Sequence, residues 1–138
     1  MIQSIKISSI YVFDQDEALD FYVGKLGLEV SADMNFGPMR WLTVRVPGDA
    51  SRDILLEKVA PPSLSEENAA RMKELISSGS SGFAAGFTTN DIQGLYRDLL
   101  DKGVDITQEP VEQQYGTDIG LRDPFGNQLR ITQLASPA

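Results

Sequence analysis

Val12-Phe13-Asp14-Gln15-Asp16-Glu17-Ala18-Leu19-Asp20-Phe21-Tyr22, running on to Leu26-Gly27-Leu28, decides the fold because the chain repeats it in degenerate form. The echo is Thr88-Thr89-Asn90-Asp91-Ile92-Gln93-Gly94-Leu95-Tyr96, running on to Lys102-Gly103-Val104. A duplicated segment means one supersecondary unit built twice, so the repeat sets the architecture before any single element is assigned.

Working outward, the β-branched and aromatic residues of 5–13 predict a strand bounded by Asp14. Ala18, Leu19, Phe21, Tyr22 and Leu26 then recur at helical spacing, and acidic residues crowd the start of that helix, where its dipole is positive. Gly27 is expected to end it in the left-handed conformation. Segments 28–32, 39–46 and 53–59 read as three strands, with Pro47-Gly48 turning between the last two. Pro61-Pro62-Ser63 breaks the chain, Ser65 caps a short amphipathic helix to about Ile76, and the Ser/Gly run 77–82 reads as a flexible linker. The order then recurs: a strand over 83–88, a helix over 91–102, and strands near 104–106, 117–122 and 128–134. Asp123-Pro124-Phe125-Gly126-Asn127 carries hairpin-turn chemistry. The expected organisation is one domain over 1–138, with module one at 1–59, a linker with a short helix at 60–82, and module two at 83–134.

A chain of 138 residues can bury a core without disulfide or structural metal. It has no cysteine and no histidine, which removes thiolate nucleophiles, zinc–thiolate sites and any serine–histidine pair. Twenty acidic residues against twelve basic ones give a net charge of -8, which argues against nucleic acid as a partner and favours cationic small molecules. The same charge also serves solubility alone. No basic leader followed by an apolar run opens the chain and no stretch is apolar enough to span a membrane, so a cytoplasmic protein is expected.

Asp14 to Tyr22 with Leu26-Gly27, Asp91 with Lys102-Gly103-Val104, and Arg122-Asp123-Pro124-Phe125-Gly126-Asn127 together resemble the vicinal oxygen chelate superfamily. That superfamily includes glyoxalase I, bleomycin-resistance proteins and extradiol dioxygenases. The resemblance covers nearly the whole chain. It implies an α+β fold in which two pseudo-symmetric βαβββ modules form a curved mixed sheet around an open cup, and by analogy a homodimer.

In metal-dependent members, four inward side chains from the first and last strands of each module hold one divalent ion. Carried over by that resemblance, the positions fall at Ile7, Leu55, Ala84 and Arg130, none of them a ligand for a divalent cation. No metal is therefore expected. A carboxylate-only divalent site built on Glu57 and Asp53 is the alternative, since both alternate with Leu55 along one strand. Arg130 reads either as a fork for a ligand carboxylate or phosphate, or as an ion-pair partner of Glu57. Phe36, Arg40, Trp41 and Tyr115 supply apolar and stacking contact for a small organic ligand, with Glu57 and Asp118 for charge; Trp41 and Phe36 can equally be packing residues. Tyr22 and Phe21 read as helix-face core, and Asp14 and Asp91 as helix-start residues.

Two functions follow. The first is metal-independent binding of a cationic or amphipathic compound, in the manner of the bleomycin-resistance branch. The second is a glyoxalase-like lyase or isomerase, or a dioxygenase-related enzyme, with a divergent divalent-metal site; glyoxalase-type proton abstraction would need both a metal and a carboxylate base. No catalytic residue is assigned.

Overall fold

The computed structural model describes residues 1–136, in two compact units, Met1–Glu74 and Leu75 onward. In the first unit β1 (Ile7–Val12) leads to α1 (Gln15–Tyr22), then to β2 (Glu29–Phe36), β3 (Met39–Arg45) and β4 (Asp53–Lys58). Helix α2 (Glu66–Ser77) follows, and the second unit repeats the pattern with β5 (Phe83–Thr88), α3 (Ile92–Asp101), β6 (Asp105–Gln113), β7 (Gly116–Arg122) and β8 (Gln128–Leu134). Each unit is therefore βαβββ, as the repeat predicts.

The two sheets have the same strand order, β1-β4-β3-β2 and β5-β8-β7-β6. The first and last strands of each unit pair in parallel and the remaining pairs are antiparallel. A parallel pair needs a long crossover, whereas hairpin turns suffice for antiparallel neighbours.

Side-chain alternation gives each sheet two unlike faces. In the first unit Ile10, Val12, Leu42, Val44 and Leu56 are all buried, as are Ala18, Phe21 and Tyr22 of α1. In the second, Ile119, Leu121, Leu129 and Ile131 are buried, with Ile92 and Leu99 of α3. The opposite faces carry polar, aromatic and half-exposed residues. One apolar and one open face is the usual outcome for a mainly antiparallel sheet with its helix on one side.

The helix starts follow the sequence reading. Asp14 Oδ1 accepts from Glu17 N at 2.8 Å and Asp91 Oδ1 from Gly94 N at 3.0 Å, so both aspartates are N-caps. Asp14→Ala is expected to lower stability by about 1 kcal/mol, checked by urea denaturation.

Three boundaries differ from expectation. Helix α1 stops at Tyr22 rather than at Gly27; residues 23–26 form wider hydrogen-bonded turns before Gly27 adopts φ 80°. In α3 the expected ending holds, with Gly103 N donating to Leu100 O and Val104 N to Leu99 O, the paired bonds of a Schellman cap. Strands β2 and β6 run on to Phe36 and Gln113, beyond the expected 32 and 106. Their outer halves, such as Asp33-Met34-Asn35 and Gln108-Glu109-Pro110, are polar or interrupted and weak as strand signals. Pairing with β3 and β7 holds them extended at the sheet edges. No helix among the described residues is long and apolar enough to cross a membrane.

Candidate functional site

The open face of the first sheet is assembled by register. Ile7, Ser9 and Tyr11 of β1 lie beside Asp53, Leu55 and Glu57 of β4, and Leu55 lies opposite Thr43 of β3. Alternation along β3 puts Met39, Trp41 and Arg45 on that face, with Met34 opposite Trp41 and Phe36 opposite Met39. Phe36, Trp41 and Glu57 thus share one face. Arg40 does not: it lies on the helix side, where its guanidinium bonds Asp33 through Nε at 2.9 Å and Asp16 through Nη1 at 2.8 Å. Asp33 and then Asp16 hold the Arg40 guanidinium firmly protonated, and Arg40 in turn holds the Asp33 carboxyl below its usual range.

Polar groups on this face are mostly engaged. Ser31 and Thr43 hydroxyls lie 2.7 Å apart, Arg45 pairs with Glu29 at 2.9 Å, and Lys6 with Asp53 at 3.2 Å. The Tyr11 hydroxyl bonds Glu57; burial first, and the Glu57 charge second, push its pKa up.

β3 and β4 part company at one end of the sheet. Their ladder pairs Val44 with Ile54 and Thr43 with Leu55, then stops. Gln15, at the first position of α1 and only 9% exposed, fills the gap: its Nε2 donates to Arg40 O at 3.1 Å and to Leu56 O at 3.0 Å. Two carbonyls left by the interrupted ladder are thereby satisfied. The opening beyond this clamp is a cleft of about 210 Å³, lined by Gln15, Met39, Leu55 and Glu57, by Gly37-Pro38 of the β2–β3 turn, and by Pro61-Pro62 after β4.

The open face of the second sheet holds a polar cluster. Asp118 of β7 is 1% exposed, and it accepts from Tyr115 Oη at 2.7 Å, Gln108 Nε2 at 3.0 Å, Arg130 Nη2 at 2.8 Å and Arg130 Nε at 3.1 Å. Arg130 Nη2 also donates to Gln108 Oε1 at 2.9 Å. Arg130 of β8 lies between Gly86 and Gly120 on the neighbouring strands, so no side chain on that rung blocks its path over β7 to Asp118. Burial pushes the Asp118 carboxyl up, but hydrogen bonds from Tyr115, Arg130 and Gln108, with the Arg130 charge, outweigh it and leave the group below the usual carboxylate range. Within its own unit Arg130 is paired with Asp118, a partner set by the β7–β8 register. A second, shallower hollow of about 470 Å³ lies by the Ser/Gly segment, between Gly79 and Phe83 on one side and Gln128 to Arg130 on the other.

The positions weighed for a divalent ion are placed as follows. Ile7 and Leu55 share the open face of the first unit but offer no ligand atom, and Ala84 sits at the register shift between Phe83 and Ala85. Asp53 and Glu57 are on one face, yet four residues of strand separate them by roughly 13 Å, too far to grip one ion. No group of three or more Asp or Glu side chains converges among the described residues.

Sequence reasoning grouped Phe36, Arg40, Trp41, Glu57, Tyr115, Asp118 and Arg130 as one ligand-binding set; the structure places Phe36, Trp41 and Glu57 on the open face of the first unit and Tyr115, Asp118 and Arg130 in the polar cluster of the second. It missed Gln15, Tyr11 and Gln108. For Gln15 a signal existed: it shares the stripe of Ala18 and Tyr22 at i, i+3 and i+7, and an amide inside an apolar stripe needs a buried partner.

A family model described as the Glyoxalase/Bleomycin resistance protein/Dioxygenase superfamily matches residues 4–131. The uncharacterized protein YurT of Bacillus subtilis (strain 168) is 37% identical over 130 residues, 94% of this chain and 98% of that protein. Among solved structures, UcmS2 superposes with a TM-score of 0.90 at 36% identity, over 96% of this chain and 98% of that one. TnmS3, described as an antibiotic binding protein from Streptomyces sp. CB03234, gives 0.77 at 25% identity, over 97% and 98%.

Proposed function

The chain belongs to the Glyoxalase/Bleomycin resistance protein/Dioxygenase superfamily, and within it we propose that this protein binds a small organic molecule of cationic or amphipathic character without a metal. One observation carries the reading. The open face of the first unit presents Trp41, Met34, Phe36 and Leu55 beside the Glu57 carboxylate, a surface suited to stacking and apolar contact next to negative charge. Ile7 and Leu55, at two of the positions that the family resemblance assigns to metal ligands, are apolar and share that face. The net charge of -8 attracts cations to it, and the description of TnmS3 as an antibiotic binding protein supports the same class of ligand. The reading includes a homodimer, by analogy with the family.

Trp41 is the single tryptophan, so its fluorescence reports on this face. Titrating chelator-treated protein with a panel of planar, amine-bearing antibiotics is expected to quench that emission saturably for at least one compound. Trp41→Ala should weaken that compound, followed by calorimetry, about tenfold or more. Failure of every compound to bind, or binding that returns only when manganese, iron, nickel or zinc is restored, overturns the proposal in favour of the metal-dependent enzyme.

A further inference from the structure

The cleft where β3 and β4 diverge has a polarity that the apolar surface beside it lacks. Gln15 uses both hydrogens of its Nε2 on the Arg40 and Leu56 carbonyls, and because both partners are acceptors the orientation of its amide is determined. Its Oε1 therefore has a fixed place and accepts no hydrogen bond among the described residues; it is not a fully buried orphan, so it opens onto the cleft that Gln15 lines. Glu57 lines the same cleft and accepts from the Tyr11 hydroxyl. Two acceptors, one of them charged, thus meet at a space of about 210 Å³, below the size of a drug-like pocket and suited to a single head group.

The cations nearby do not fill this role. Arg40 and Lys58 also line the cleft, but the Arg40 guanidinium is held by Asp16 and Asp33, and Lys58 is exposed and alternates with Glu57 along β4. We propose that this cleft is a subsite for a primary ammonium group, which donates to Gln15 Oε1 and to the Glu57 carboxylate while Met39, Leu55 and Pro61-Pro62 enclose the adjoining carbon. An ammonium has three donors and no acceptor, which matches the Gln15 and Glu57 acceptors, whereas a hydroxyl would leave the carboxylate without a cation. The inference rests on the small-molecule binding reading: the subsite would receive the amine of the ligand whose planar part lies against Trp41.

The test uses benzylamine and benzyl alcohol as probes of the full-length protein, followed by amide NMR. Benzylamine is expected to shift the Gln15 side-chain amide and the Glu57 backbone amide saturably, with benzyl alcohol about tenfold weaker or worse, as expected for a charged hydrogen bond. Glu57→Gln should erase the difference between the two probes while leaving the rest of the spectrum in place. Equal shifts with both probes, no shift with either, or shifts confined to residues away from Gln15 and Glu57 overturn the subsite. None of these results bears on the fluorescence titration with antibiotics, which judges the broader binding reading separately.

Discussion

Asp123→Ala is expected to lower the unfolding free energy by about 3–5 kcal/mol, read from the urea-unfolding midpoint, the largest effect of any single polar substitution in the second unit. The reason lies in the β7–β8 turn. Asp123 is 5% exposed, and its Oδ1 accepts from the backbone amides of Phe125 at 3.0 Å, Gly126 at 3.0 Å and Asn127 at 2.8 Å. Its Oδ2 accepts from Asn127 Nδ2 at 2.7 Å. Alanine strands these donors in a place where Phe125 and Asn127 are themselves buried, and the desolvation of each is then uncompensated. Asp123→Asn keeps one acceptor oxygen and should lose about half as much. An unfolding midpoint for Asp123→Ala within error of the parent would show that water replaces the carboxylate without loss.

Asp118→Ala is expected to destabilise the protein by about 2–4 kcal/mol, the reduced end of the range for a broken buried pair because the Arg130 side chain is 38% exposed. Removing the carboxylate leaves a guanidinium, a phenol and an amide without their shared acceptor. The same group imposes a pH dependence whose sign follows from its lowered folded-state pKa. An unfolded aspartate titrates near 3.8, so the contribution of Asp118 is fully present above that value and is lost as pH falls toward the lower folded value. As pH falls below about 4 the parent should therefore lose stability more steeply than Asp118→Asn, which has no proton to take up at this position. Parallel urea midpoints for the two proteins across that range would show that the carboxylate is not stabilised by its neighbours.

Much of the fold was legible because it depends on local chemistry. The caps Asp14 and Asp91, the turn around Asp123 and the bounds of β8 each follow from a few adjacent residues whose conformational preferences agree. The edge strands were legible only in their inner halves. Beyond Ala32 and Ile106 nothing local favours extension, and hydrogen bonds to a neighbouring strand supply what propensity does not.

The candidate site divides along the same line. Alternation along one strand is a local property, so the sequence by itself determined that Leu55 and Glu57 share a face, as it determined that the side chains of Ile7, Leu55 and Ala84 carry no ligand atom. Which strand lies beside which, and in what register, is a long-range property, so only the tertiary structure decided that Arg130 crosses Gly120 to Asp118 and that Arg40 turns to Asp16 and Asp33. It also decided that β3 and β4 separate just where Gln15 can bridge them. A side chain's chemistry is written in the chain, but its partner is the group that the fold brings within about 3 Å.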